Sequence, residues 1–401
     1  MLESFSIRSY RFQWSADLLS TWGFEMETLI LAWYILVETD SPFLLAVVGA
    51  LRFGGTLLSP LAGVMADRTA LRQVMVWLRV ALSVLACAII VADVSGVLGP
   101  VVVLIIAAAS GLLRPAEHII RNALIAETVP NNLLANAVGF SRTTSDSARI
   151  VGALVGAGLL AAIGIAWAYA VITLMYVAAI ALTFGIPLRP PRASAQDAAP
   201  LRDLVVGFGY VYRDRPLRFT MFLALLANLT AFPLTHGLLP VVARDLYGLD
   251  EVGLASMVAA AATGSLVGSL LVAATLKTGS AARIMLVSMV LWHVLVCVFL
   301  QMPPSAAGWV ILFFVGVSSS GAMSTMAVSL LHEASAEFRG RVMGVRMLAV
   351  YGLPIGLLVA GALIEEFGAP TTLTWYGVVG ILFSVWVALR WQQLIGVDVR
   401  A

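Results

Sequence analysis

Runs of apolar residues, each closed by a short cluster of charged or turn-forming residues, recur along the whole chain. They fall near 12–37, 43–66, 73–93, 98–121, 135–163, 165–187, 217–242, 252–275, 283–302, 306–331, 341–364 and 370–391. A membrane-crossing helix needs roughly 20 mostly apolar residues, so every run is long enough for one crossing. Each far exceeds the roughly 10 residues of a barrel strand and none alternates with period two, which leaves helices. The pattern predicts an all-α membrane protein of twelve transmembrane helices. One interruption is wider than the rest: from Leu188 to Pro216, Pro190, Pro191 and Pro200 stand among arginines and mark a linker. It divides the chain into a six-helix bundle at 1–187, a cytoplasmic linker at 188–216 and a second six-helix bundle at 217–401. Within the linker Leu201, Leu204, Val205, Phe208, Val211 and Tyr212 recur at helical spacing beside Arg202 and Arg213, predicting a short amphipathic helix on the inner membrane face.

Composition removes whole classes of function. Of 401 residues, 61% are hydrophobic and 11% charged, against roughly 25% charged in a soluble domain, which excludes a water-soluble globule. The 24 basic and 22 acidic residues nearly cancel, so no basic surface argues for nucleic acid. The single lysine, Lys277, follows Leu276, so no phosphate-cradling Gly-Lys-[Ser/Thr] motif exists. Cys87 and Cys297 sit inside apolar runs with no Cys or His at ligand spacing, and read as small packing residues. No metal, cofactor or enzymatic constellation is expected. Arginines gather in one set of loops, with Arg79 counted among these inner-surface residues, while the other set holds only Arg244. That bias places both termini in the cytoplasm. Asp17, Glu25 and Glu27 interrupt the first apolar stretch, so no cleavable signal peptide is expected.

The halves echo each other. Glu127 to Gly139 precedes one glycine-rich helix, and Glu333 to Gly344, about 206 residues later, precedes another. Such a repeat marks duplicated transporter bundles with a substrate site between the halves. After the second run, Gly63-Val64-Met65-Ala66-Asp67-Arg68-Thr69-Ala70-Leu71-Arg72 resembles the Gly-x-Leu-Ala-Asp-Arg-x-Gly-Arg-Arg loop of the major facilitator superfamily. Gly23 to Glu27, Ala32-Trp33, Thr39 to Pro42, Ala135-Asn136-Ala137 and Ala148 to Gly152 are similar to its macrolide-efflux and enterobactin-exporter branch, the transmembrane secretion effectors. Three positions depart from the pattern: Ala70 replaces the loop glycine, Ala153 stands where the antiporter motif has Gly-Pro, and the copy near Lys277 lacks its aspartate. The resemblance implies a monomeric transporter of a bacterial inner membrane, in which the loop latches a cytoplasmic gate. Gate residues would be Gly63, Asp67, Arg68 and Arg72, with Arg121, Glu127 and Glu333 as their partners.

Ionisable residues inside spans cost about 2.5–3.5 kcal/mol on insertion scales and usually mark a pathway. The first half carries Asp17, Glu25, Glu27, Arg52, Arg114, Glu117, His118, Arg142, Asp146 and Arg149; the second offers Arg346, Asn228, His236 and His293. Residues equally distant from a hairpin turn lie at equal depth, which pairs Glu27 with Arg52, Glu117 with Arg142 and Arg114 with Asp146. Arg142, Asp146 and Arg149 also stand at i, i+4 and i+7 and can neutralise one another on one helix face. Glu25 and Glu27, as adjacent carboxylates, repel, so one of them is the candidate proton carrier. Asp17 reads as a helix-packing group. The expectation is proton-coupled export of a small amphipathic or polar organic compound through the bilayer, proton and cargo competing for one cavity. An importer or lipid flippase of the same fold, or a non-transporting assembly scaffold, stays open.

Overall fold

The computed structural model of the 401-residue chain describes residues 3–58, 69–189, 200–275, 281–335 and 337–390, and every regular element among them is helical. Contacts group the chain into two units. One holds Met1–Leu44, Leu51–Asp197 and Glu251–Ala259; the other holds Leu45–Ala50, Ala198–Asp250 and Ala260–Ala401.

The first unit opens with α1 (Arg8–Thr39), a continuous helix in spite of its three internal carboxylates. It ends where Asp40 turns to φ 52° and donates its N–H to the Leu36 carbonyl, before Pro42 starts α2 (Pro42–Leu51), of which Leu45–Ala50 groups with the second unit. There follow α3 (Leu71–Val94), α4 (Pro100–Thr128) and α5 (Asn131–Thr183). The last is two legs meeting at Gly164, whose φ of 78° and ψ of 175° suit a residue without Cβ. This is the break the sequence places between its fifth and sixth runs.

The second unit contains α6 (Pro200–Arg213), α7 (Arg215–Leu246), α8 (Glu251–Thr275, its start grouped with the first unit), α9 (Ala281–Gln301), α10 (Ala307–Glu333), α11 (Arg339–Phe367) and α12 (Ala369–Arg390). α7 winds as π-helix over Ala227–Ala231, Leu234–Leu238 and Val242–Leu246. Pro233 and Pro240 lack the N–H an α-helix needs and crowd the preceding turn, which widens it. α6 occupies the stretch where the sequence predicts a short amphipathic helix. Gly207 lies against Arg341, Tyr210 stacks on Phe338 at 4.2 Å, and the Tyr210 hydroxyl accepts from the Ser335 N–H at 3.3 Å.

Among the described residues nine helices are long and apolar enough to cross a membrane, and α5 among them crosses twice. The polar side chains of α1 keep it out of that group, and the second run enters as the shorter apolar stretch Pro42–Thr56. Together these make the twelve crossings of the expected fold. Large apolar side chains such as Trp77, Ile105, Leu174 and Leu382 are exposed, as suits a surface bathed in hydrocarbon. Cys87 is exposed on this kind of surface instead of packing inward, while Cys297 packs against Gly377.

Two close helix approaches build the interior of the first unit. A Cβ on Gly152 would stand 2.8 Å from the Glu25 Cβ, and one on Gly156 would stand 2.9 Å from the Met26 Cα. Glycines four apart thus let α5 press its backbone onto α1 where Glu25 and Glu27 project. A Cβ on Gly111 would lie 2.7 Å from the Arg52 Cα, so α4 approaches the end of α2 just as closely. Arg114 follows Gly111 within one turn and is carried to the level of Arg52.

Candidate functional site

Charged side chains of the first unit sort into three environments. The first is a buried lock. Arg79 of α3 is fully buried and reaches three partners with three nitrogens: Nη2 lies 2.5 Å from Asp17 Oδ1, Nε lies 3.6 Å from Glu117 Oε1, and Nη1 donates to the Thr183 hydroxyl. Glu117 also accepts from Ser20 at 2.6 Å and pairs with Arg114, one turn earlier on α4. Arg121, 4% exposed, donates to the Thr21 hydroxyl at 3.2 Å and has Nη2 3.1 Å from His118 Nδ1. Ion pairs among Asp17, Arg79, Glu117 and Arg114 therefore tie three helices together, with Arg121 held beside them by a hydroxyl and a histidine.

The second environment belongs to Glu27, 3% exposed. Its Oε1 accepts from Ser110 at 2.9 Å and its Oε2 from Tyr176 at 3.5 Å. The buried Tyr169 hydroxyl is within electrostatic range and has no hydrogen-bond partner among the described residues. No arginine comes within ion-pair distance of Glu27 among those residues. Hydroxyls accept as well as donate, so Glu27 can be hydrogen-bonded in either protonation state.

The third environment is half-buried. The Arg52 and Arg114 guanidinium carbons stand 4.7 Å and 4.1 Å from the centre of one ring, Phe24. Arg52 also donates to the Thr28 hydroxyl. Glu25 is half-buried beside them, and Glu25, Glu27 and Arg149 lie within electrostatic range of Arg52.

Several expected pairings are replaced. Glu27 of α1 binds the hydroxyls of Ser110 and Tyr176, and Arg52, just past the end of α2, binds that of Thr28. Glu117, expected opposite Arg142, is held by Arg79 and Arg114; the Arg142 side chain lies outside the described residues, and Asp146 and Arg149 are half-buried on α5. Arg79, counted with the inner surface, is the most enclosed arginine of the network. Its depth was readable: Asp17 lies about nine residues into α1 and Arg79 about eight into α3. Ser110, Thr183, Tyr169 and Tyr176 carried no sequence signal, since polar groups of this kind are spread through every span.

Of the gate residues, Gly63, Asp67 and Arg68 lie outside the described residues. Arg72 donates to the Ile186 carbonyl at 2.9 Å and sits over Phe184, closing the end of the sixth span. Arg121 belongs to the buried lock. Glu127 lies 4.0 Å from Arg189, and Glu333 is exposed at the end of α10. In the second unit Asn228 donates to the Ala224 carbonyl at 2.8 Å, and His236 meets Thr235 at 3.0 Å and Phe232 edge to face. Both lie on the π-helical part of α7. His293 is fully buried between Thr230 and the Met289 carbonyl. No cluster of potential metal ligands occurs among the described residues.

The sequence profile of the Major Facilitator Superfamily matches residues 14–354. Curated protein sequences gave no match. Among solved structures, the nucleoside transporter NupG is similar with a TM-score of 0.74 at 14% identity, covering 98% of this chain and 99% of that one. A POT family transporter in complex with 5-aminolevulinic acid gives 0.72 at 11%, covering 96% of each chain. A bacterial homolog of the human lysosomal transporter Spinster, inward-facing and unoccupied, gives 0.70 at 14%, covering 98% of each. At such identities the likeness concerns the fold alone.

Proposed function

The chain belongs to the Major Facilitator Superfamily, and from that premise we propose that it is a proton-coupled secondary transporter of a small amphipathic or polar organic compound. It is a multi-pass membrane protein and a transporter, not an enzyme. The observation that carries proton coupling is the contrast among its buried carboxylates. Asp17 and Glu117 are ion-paired to arginines, whereas Glu27 is hydrogen-bonded only by hydroxyls among the described residues, with Arg52 and Arg114 near it but beyond ion-pair distance. A carboxylate fixed by an arginine has no reason to exchange its proton, but one held by hydroxyls can do so without rearranging its neighbours. Proton binding then biases alternating access, because any ligand shifts two conformations by its difference in affinity for them.

The resemblance to the exporter branch supports outward movement from a bacterial cytoplasm. Uptake is favoured by one observation, the arginine pair at Phe24. An anion there would bind better once Glu27 is protonated, so proton and cargo would travel together.

The test is transport in proteoliposomes under an imposed pH gradient, using a fluorescent acridine cation, a fluorescein carboxylate and a neutral coumarin as probes. Glu27→Gln is expected to abolish gradient-driven movement while preserving exchange without a gradient. Full gradient-driven flux in that variant refutes the assignment, and the sign of the flux selects the direction.

A further inference from the structure

We infer that Arg52 and Arg114, set against Phe24, form the receiving site for the anionic group of a small organic cargo. The inference rests on the transport reading but not on its direction. Both guanidinium groups lie against the same ring, so their carbons stand within about 8.8 Å of each other, the sum of the two ring distances. That span lets one carboxylate be bonded by both, and guanidinium presents paired N–H groups that match a carboxylate's two oxygens.

The two arginines are unequally committed. Arg114 gives one nitrogen to Glu117, while Arg52 gives one to Thr28 and has no carboxylate within ion-pair distance among the described residues. A cation at this depth without a contacting anion is costly unless it faces water or a ligand. Access separates this place from the lock. Phe24, Glu25, Thr28 and Arg52 are half-buried, whereas Asp17, Arg79 and Glu117 are enclosed. The Phe24 ring also offers an apolar face to the body of an amphipathic anion, and the close Gly111 contact holds the Arg52 backbone against α4. Glu25 stands beside both arginines and would repel a second anion, so the site takes one anionic group.

The experiment uses the full chain in detergent and three probes on one ring system: 2-naphthoate, 2-naphthamide and 2-naphthylmethylammonium. Calorimetric titration and thermal stabilisation are expected to detect the naphthoate and to show at least tenfold weaker binding of the other two. Arg52→Gln is expected to lose tenfold or more in naphthoate affinity, and Arg52→Lys to recover part of it. Phe24→Leu keeps both charges and is expected to weaken naphthoate less than Arg52→Gln does, which guards against a variant that merely fails to fold. Equal binding of the amide or the ammonium probe, no binding of naphthoate, or unchanged affinity in a folded Arg52→Gln protein would overturn the proposal. Because the readout is equilibrium binding, it can succeed where gradient-driven transport by Glu27 fails, and the reverse.

Discussion

Replacing Arg79 by methionine removes one charge from the centre of the first unit while keeping most of the side chain's apolar stem. In the structure this arginine is fully buried and serves Asp17, Glu117 and Thr183 at once. Glu117 would keep Arg114 and Ser20, but Asp17, 6% exposed in its side chain, would lose its contact at 2.5 Å. Stranding a buried charge in this way costs about 3–5 kcal/mol, equivalent to roughly two to four powers of ten in the unfolding equilibrium. An arginine on the surface would cost no more than about 0.5 kcal/mol, which the exposed Arg213→Met supplies as a control. Adding Asp17→Leu to Arg79→Met should restore much of the loss, because an apolar pair of similar volume often replaces an ion pair without penalty. Arg79→Lys should resemble methionine more than arginine, since one ammonium cannot meet partners on three helices. The measurement is unfolding of purified protein in detergent, followed by tryptophan fluorescence and by exposure of Cys297 to a thiol dye in a Cys87→Ser background. An Arg79→Met protein within about 1 kcal/mol of the parent, or a double variant less stable than the single one, would refute the account of the lock.

Other outcomes follow from the same geometry. Glu27→Gln keeps groups able to bond Ser110 and Tyr176, so its stability should stay within about 1 kcal/mol of the parent even as gradient-driven transport is lost; thermal unfolding beside the flux assay separates the two. Protonating Glu27 removes negative charge beside Arg52, where Arg114 and Arg149 also act, so 2-naphthoate affinity should rise as pH falls from 8 to 6, by up to about tenfold per unit for one linked proton. Weaker binding at low pH would instead support competition and export. Gly152→Leu should force α1 and α5 apart at Glu25 and reduce both stability and transport, and unchanged unfolding would show that the contact is slack. Gly207→Leu should detach α6 from Arg341 and expose the Tyr210 region to protease, while leaving naphthoate binding intact.

Much of the architecture was legible along the chain because hydrocarbon is an unforgiving solvent. Backbone groups there must be satisfied within each segment, so an apolar run of sufficient length is a helix whatever its neighbours do. The crossings follow from that rule. Which acid meets which base does not. Equal-depth reckoning placed Glu27 beside Arg52 and Glu117 beside Arg142, because depth says nothing of the rotation of a helix about its axis, while Arg79 was counted with the loop arginines and not paired by depth at all. Rotation is set by packing: Gly152 and Gly156 decide how near α5 approaches α1, and Gly111 decides how near α4 approaches the end of α2, and hence which side chains face each other. The sequence alone therefore determined a twelve-crossing helical membrane protein with costly charges in its first half. Only the tertiary structure divided those charges into a closed lock around Arg79, a carboxyl among hydroxyls at Glu27, and a half-open arginine pair at Phe24, since neutralisation is a matter of contacts a few ångströms long between residues far apart in the chain.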